Sequence, residues 1–459
     1  MENNWKKVRL GEICTIRRGS SPRPIVDYMA SQGMPWVKIS DATESKTRYI
    51  NKTNEFIKHE GVGRSVIVNE GDLILSNSGT AGLPKFMGIT ACIHDGWQVF
   101  SNLIGIDKEF LYYTLLNIRA KLLHNAYDST MKNLTLDMVR DAEIMLPTID
   151  EQKAIASILS SVDKKIENTL DMNQTLEQMA QSLFKSWFVD FDPVVDNALD
   201  AGFFERDLEF SDELLRRAEA RKAVRGSADF KPLLEDIRQL FPAAFEECSE
   251  PSLGLGGWVP EGWKHGCISD VARYRTERVD TTELTLDNYI STENMLADRK
   301  GVQPATSLPT VNSVPSYTSG TVLVSNIRPY FKKIWLAKGD GGYSNDVLGF
   351  EAKVSGTESY LFNLMYQDTF FDFMMATSKG SKMPRGDKKA ILGWNLVVPT
   401  LSLRLFFSEK VNDFYTSADS RHHENITLNQ LRDTLLPKLI SGELCLSDSE
   451  VDTAEEVLA

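Results

Sequence analysis

Between Ile155 and Trp187 a seam recurs in alternating steps of four and three: Ile155, Leu159, Val162, Ile166, Thr169, Asn173, Leu176, Ala180, Leu183 and Trp187. A mean step of about 3.5 residues predicts a long helix whose seam packs against a second helix. The same register returns at Phe407, Val411, Phe414, Ala418, Arg421, Asn425, Leu428, Arg432, Leu435 and Leu439. The second seam is more polar, and Pro437 falls late in it. Asn173 and Asn425 hold the same seam position, where a polar residue costs stability but fixes register. Two such runs favour helices that pair with each other over one amphipathic helix per domain.

Ahead of each run the periodicity shortens to that of strands. Trp36-Val37-Lys38-Ile39, Val66-Ile67-Val68 and Leu73-Ile74-Leu75 predict short strands, with turn chemistry at Gly71-Asp72 and Asn77-Ser78-Gly79 and a helix from Phe110 to Leu123. The texture repeats in Tyr289-Ile290-Ser291, Val322-Leu323-Val324 and Ile334-Trp335-Leu336, followed by a helical pattern from Tyr360 to Met375.

The two halves are copies. Moved by 252 positions, Leu146-Pro147-Thr148 falls on Val398-Pro399-Thr400, and Asn173, Leu176 and Leu183 fall on Asn425, Leu428 and Leu435. Upstream, Gly71-Asp72-Leu73-Ile74-Leu75-Ser76-Asn77 resembles Gly320-Thr321-Val322-Leu323-Val324-Ser325-Asn326 at a different offset, so the loops there have gained and lost residues. Variable loops beside a fixed segment suggest that the loops choose a target while the segment holds the geometry. The expected division is residues 1–148 and 263–399 as two mixed α/β domains, and 149–190 and 400–446 as long helices. Residues 191–262 form an acidic, partly helical connector, and 447–459 an acidic tail.

The net charge of −13 is unevenly placed. The connector holds 8 basic and 16 acidic residues and the stretch 399–459 holds 5 and 11, whereas 1–150 holds 18 and 17. The variable segments are therefore nearly neutral, which permits phosphate contact, and the acid lies where basic partners could meet it. Five scattered cysteines without a Cys-x-x-Cys pair fit a reducing cytoplasm. No apolar run reaches the ~18 residues of a membrane span, and Met1–Lys7 lacks the apolar core of a signal peptide.

Catalytic motifs are scarce. There is no Gly-x-x-x-x-Gly-Lys-Ser/Thr loop, no Asn/Asp-Pro-Pro-aromatic tetrapeptide and no metal spacing among the six histidines. An acidic nuclease set built on Glu44-Ser45-Lys46 after Asp27 or Asp41 is of a kind that arises by chance. Donor-rich side chains suited to phosphates and base edges instead gather at matching places. In the first copy they are Lys38, Ser40, Asn77, Ser78, Thr80, Ser129, Lys132 and Asn133. In the second they are Ser291, Asn326, Arg328, Lys332, Lys379, Ser381, Lys382 and Arg385.

Several segments resemble the specificity (S) subunit of type I restriction-modification enzymes. They are Trp5-Lys6-Lys7-Val8-Arg9-Leu10-Gly11-Glu12-Ile13, Pro35-Trp36-Val37-Lys38-Ile39-Ser40-Asp41, and above all Leu146-Pro147-Thr148-Ile149-Asp150-Glu151-Gln152, a proline and Glu-Gln entry to the first long helix. The second copy departs from this entry: Pro399-Thr400-Leu401-Ser402-Leu403-Arg404 lacks the Glu-Gln. The resemblance implies an α+β protein in which two target-recognition domains are separated by two long antiparallel coiled-coil spacer helices. Each domain would read half of a bipartite site in double-stranded DNA. It implies no catalysis and no cofactor in this chain. Two methyltransferase subunits would carry S-adenosylmethionine, and two restriction-translocase subunits would use ATP and Mg. A helix of about 35 residues spans roughly 50 Å, enough to hold readers about one ~34 Å turn of DNA apart. A self-sufficient nuclease with fused recognition domains, and a coiled-coil scaffold that binds protein only, are the alternatives.

Overall fold

The computed structural model describes residues 5–127, 133–380 and 382–444. These fall into two units, one built from the chain up to Asn173 together with the segment from Asp419, the other from Gln174–Ala418.

In the first unit Lys6–Arg9 pairs antiparallel with Glu143–Leu146, so the start and end of the variable segment are tied together, Lys6 opposite Leu146. Between them lie two five-stranded sheets. One runs in the order Thr15–Arg18, Trp97–Ser101, Leu73–Ser76, Pro84–Met87, Tyr49–Ile50. The other runs Met29–Ala30, Glu55–Ile57, Met34–Val37, Ala91–Ile93, Val66–Val68. Leu73–Ser76 is buried throughout, as an interior strand covered on both faces must be. The expected strand at 36–39 ends at Val37, because Lys38 begins the short helix Ile39–Glu44 and donates its N–H to Asp41 Oδ2 at 2.8 Å.

The second unit repeats this plan. Lys264–Cys267 pairs with Asn395–Val398. One four-stranded sheet is ordered Ala272–Tyr274, Val347–Ala352, Val322–Ser325, Ile334–Leu336, and another Arg278–Asp280, Ser313–Tyr317, Gly341–Tyr343, Tyr289–Ile290. The two copies share a parallel pair at the same place, Met34–Val37 beside Ala91–Ile93 and Tyr289–Ile290 beside Gly341–Tyr343, and the first adds a second between Tyr49–Ile50 and Pro84–Met87. The helix expected from Tyr360 to Met375 is two helices, Glu358–Met365 and Asp368–Ala376. Extended backbone at Gln367 separates them, and its side chain donates to Asn363 O at 3.0 Å.

The long apolar runs form the helices Ile149–Phe188 and Leu401–Ser441, the second passing through Pro437. In the first unit Val162, Ile166 and Leu170 pack on Leu428. Asp163 Oδ1 accepts from Arg432 Nη1 at 3.0 Å, and Thr169 donates to Asn425. Residue numbers rise along one helix as they fall along its partner, so the pair is antiparallel there. In the second unit Phe184 meets Phe407 edge-on and Trp187 stacks on Phe406. The polar partner of Asn425 is thus Thr169, one seam step from Asn173.

The connector contributes to the second unit's interior. Its helices Asp192–Asp200 and Asp212–Arg225 carry carboxylates and guanidiniums at the same four-residue spacing. Asp192, Asp196 and Asp200 therefore meet Arg217, Arg221 and Arg225 in turn, with Asp196 2.5 Å from Arg221. Phe191, Phe203, Phe245 and Trp258 share one hydrophobic core with Trp263 and Phe350.

A charged cleft of about 540 Å³ in the first unit is lined by Arg48, Lys85, Asp163, Glu167 and Arg432 among others. Tyr113 donates to Asp163 Oδ2 at 2.7 Å, and Arg48 pairs with Glu109. Lys85 is buried and donates to Thr47 O, and to Ser45 O at 3.0 Å. Burial pulls its pKa down to about 8, with Glu167 and Asp163 opposing the shift. Below pH ~8 both folded and unfolded chains are protonated at Lys85, and the desolvation penalty is fully present. As pH rises toward the unfolded value of 10.5 only the folded chain loses the proton, so the penalty is relieved. Urea unfolding across this window is expected to show wild type gaining on Lys85→Met by up to about 1.4 kcal/mol per pH unit. Parallel curves for the two proteins would show that Lys85 stays charged.

Candidate nucleic-acid interface

Asn77 and Asn326 end equivalent interior strands, and both are buried joints rather than free readers. Asn77 N–H donates to Gly96 O at 2.8 Å, its side chain donates to Asp95 O at 3.0 Å, and its carbonyl accepts from Leu134 N–H at 2.9 Å. Asn326 N–H donates to Asp346 O at 2.8 Å and its carbonyl accepts from Gly386 N–H at 3.3 Å, while its side-chain oxygen has no partner. In both copies the same backbone knot ties the strand-end turn to the segment that precedes the last short helix. The candidate loops meet because this knot draws them together.

In the first copy the knot leaves Ser78 half-buried and Thr80 and Asn133 exposed; Ser129 and Lys132 lie outside the described residues. Ser40 is exposed, but Lys38 is held by Glu55. Asp41 belongs to the local turn, accepting from Lys38 N–H and from the Asn54 amide, which also donates to Glu44. Three side chains that the sequence reading passed over stand beside Asn77. Arg18 donates to Asp95 O at 2.7 Å, Arg23 lies 3.4 Å from the Asp95 carboxylate, and Ser21 donates to that carboxylate at 2.7 Å. The hydrogen bond from Ser21, against the opposing effect of burial and with a backbone hydrogen bond and Arg23 adding to it, holds Asp95 below the usual carboxylate range. Arg18 and Arg23 remain 54% and 73% exposed, so each can meet a further anion while paired with Asp95. The run from Arg17 to Arg23 was the signal available in the sequence.

In the second copy Ile327 and Lys379 each bridge to Arg385, and Arg328 N–H donates to Pro384 O at 2.9 Å. This places Arg328, Lys379, Lys382 and Arg385 together; Ser381 lies outside the described residues. Arg328 and Lys382 are exposed. Lys379 pairs with Asp387 at 2.8 Å and Arg385 with Asp346 at 3.1 Å, yet both stay more than half exposed and can add a phosphate contact. Lys332 is tied to Asp368 at 2.7 Å and is less available. Ser291 caps its own turn by donating to Asn294 Oδ1 at 3.2 Å, a structural role. Arg328, Lys332, Asp298 and Arg299 all have left-handed backbone, at a cost on the order of 1 kcal/mol each for a side-chain-bearing residue.

The Glu-Gln entry has a physical reading that the sequence did not disclose. Glu151 closes a capping box with Thr148, whose N–H and Oγ reach Oε2 at 2.9 and 2.7 Å. Gln152 is fully buried; it accepts from Asp107 N–H at 2.7 Å and donates to Gly105 O and Pro147 O at 3.0 Å each. The pair clamps the variable domain to the helix start. In the second copy Leu403 is buried at the position of Glu151, and Arg404 lies over the Tyr360 ring at 5.9 Å, so packing replaces the polar clamp.

Among the described residues no group of three or more His, Cys, Asp or Glu is placed to hold a metal ion, and no helix is long and apolar enough to cross a membrane.

Residues 2–178 match the family described as "Type I restriction modification DNA specificity domain". Over 96% of this chain and 100% of the relative, the sequence is 24% identical to the type I restriction enzyme HindI specificity subunit of Haemophilus influenzae. Over 96% of this chain and 89% of the relative it is 22% identical to the EcoDI specificity subunit of Escherichia coli. The fold is shared with the type I restriction-modification S subunit from M. genitalium, at a TM-score of 0.51 and 14% identity over 96% of each chain. Residues 2–178 thus match a DNA specificity domain of type I restriction-modification systems, and nearly the whole chain is similar to specificity subunits of those systems.

Proposed function

We propose that this chain reads a bipartite site in double-stranded DNA, residues 1–148 recognising one half and residues 263–399 the other. The paired helices, Ile149–Phe188 and Leu401–Ser441, act as the spacer that sets the gap. The observation that carries this reading is the duplicated knot at Asn77 and Asn326, which presents donor-bearing loops at the same place in two copies. Exposed Arg18 and Arg23 in one copy, and Arg328, Lys382 and Arg385 in the other, supply phosphate contact and base-edge donors. The chain brings two methyltransferase subunits and two restriction-translocase subunits to the site, in the cytoplasm. S-adenosylmethionine, ATP and Mg belong to those partners.

The test is an exchange. Replacing residues 5–145 by the equivalent module of a related specificity subunit, then mapping methylated adenines in cells, is expected to change one half of the recognised sequence and leave the other half and the gap intact. A change in both halves would refute the modular reading. Cells without the gene supply the baseline.

A further inference from the structure

The loop between the strands Val322–Ser325 and Ile334–Leu336 carries two exposed aromatic side chains on a surface otherwise rich in donors. Tyr330 is 49% exposed and Phe331 38%, with ring centroids 4.6 Å apart. Exposed rings set side by side mark contact surfaces more often than chance placement does.

The backbone beneath them is held in place. Arg328 and Lys332, on either side of the short turn Pro329–Phe331, are both left-handed, and so are Asp298 and Arg299 on the neighbouring loop. The two loops are joined: Asp298 N–H donates to Phe331 O at 2.8 Å and Arg299 N–H to Lys332 O at 3.1 Å. Asp368 takes both Lys332 and Arg299, and Arg299 also lies over Tyr366 at 4.9 Å. Strain of this kind persists where the surroundings over-determine it, and it concentrates at functional sites. Here it projects two rings that the interior does not use. Exposed Arg328 adjoins them and donates its N–H to Pro384 O at 2.9 Å, which brings exposed Lys382, Met383 and Arg385 to the same surface, and Lys333 Nζ lies 5.7 Å from the Phe331 ring centroid. An apolar projection inside a cationic rim suits an anionic partner with an apolar interior, which describes a DNA duplex. The counterpart loop of the first copy, residues 77–83, contains no aromatic residue.

We propose that Tyr330 and Phe331 form a wedge that enters the duplex at the half-site read by the second copy and unstacks one base step, so that the two halves are read by different physical means. The first half is read by hydrogen bonding without distortion. The second adds the deformability of the wedged step, and flexible pyrimidine–purine steps are favoured there. This inference rests on the DNA-reading proposal.

The experiment uses the full chain assembled with its methyltransferase subunit, and duplexes carrying the mapped site with 2-aminopurine at successive positions. At one step of the second half, away from the methylated adenine, fluorescence is expected to rise on binding. The Tyr330→Ala, Phe331→Ala double variant should lose that rise. It should bind the specific duplex roughly tenfold or more weakly, the scale of one lost aromatic–base stack, with unchanged thermal unfolding. Tyr330→Phe should keep the signal. Specific binding with no fluorescent step beyond the methylated adenine would overturn the wedge and leave the DNA-reading proposal standing. Absence of specific binding by the wild-type assembly would sink both. A double variant that keeps the fluorescence but loses its methyltransferase partner would reassign the rings to a protein interface.

Discussion

Replacing Asp163 by alanine is expected to destabilise the first unit by about 3 kcal/mol, measured as the change in unfolding free energy in urea. Asp163 is nearly inaccessible and receives two different partners, the Tyr113 hydroxyl at 2.7 Å and the Arg432 guanidinium at 3.0 Å. Alanine leaves a buried phenol without its acceptor and a mostly buried guanidinium without its main counter-charge. Arg432 keeps Asp433 at 2.9 Å and is a quarter exposed, so the expected loss sits at the low end for a broken buried pair. Asp163→Asn keeps an acceptor for Tyr113 and should lose less. The sharper check removes the whole set: Asp163→Leu with Arg432→Leu and Tyr113→Phe should recover most of the stability, because nothing charged is then left alone. A single alanine variant as stable as wild type would show that the network is solvated.

Phe407→Ala is expected to cost the second unit about 3–5 kcal/mol. The ring is fully buried, and its centroid lies 5.7 Å from Phe184, 5.9 Å from Trp187 and 5.1 Å from Phe188. It is the place where the second long helix enters an aromatic cluster supplied by the first. Truncation removes the transfer free energy of the ring, leaves a cavity and forfeits three aromatic contacts of about 0.5–1.5 kcal/mol each, partly overlapping with the first term. Phe407→Leu should lose less than half as much, since it keeps most of the volume. Fluorescence from Trp187 offers a local reporter. A cost under about 1 kcal/mol would mean that the cluster collapses around the gap.

Much of the architecture was legible because it rests on periodicity. The four-three steps from Ile155 and Phe407 are the helices Ile149–Phe188 and Leu401–Ser441, and the runs around Leu73 and Val322 are interior strands. The repeat at 252 positions is visible in structure, where Glu143 and Asn395 open equivalent strands. What stayed hidden depends on partners far away in sequence. Asn77 and Asn326 read as donors for a ligand, yet each is taken up by backbone groups of two other loops, a pairing that no local pattern encodes. Lys38 and Lys332 read as free cations and are held by Glu55 and Asp368. The left-handed backbone at Arg328 and Lys332 was invisible because neither residue is a glycine or asparagine, the residues that usually announce it. Gln152 stood out as part of a family motif, but its three hydrogen bonds could be assigned only once Gly105 and Asp107 were seen beside it.

The way residues 191–262 are built bears on how new variants of this protein arise. Genetic crossover near codon 146 joins a foreign module to a helix that meets it through Ile155, Ala156 and Leu159, aliphatic side chains that tolerate volume-conserving change, and through Gln152 and Asp163, which bond Asp107, Gly105 and Tyr113. Crossover near codon 262 splits a fitted set of rings, Phe191, Phe203, Phe245 and Trp258 on one side and Trp263 and Phe350 on the other. Descendants of such an event inherit an interior drawn from two lineages whose shapes were never selected together. The second module is therefore expected to travel between genomes with its acidic preface attached.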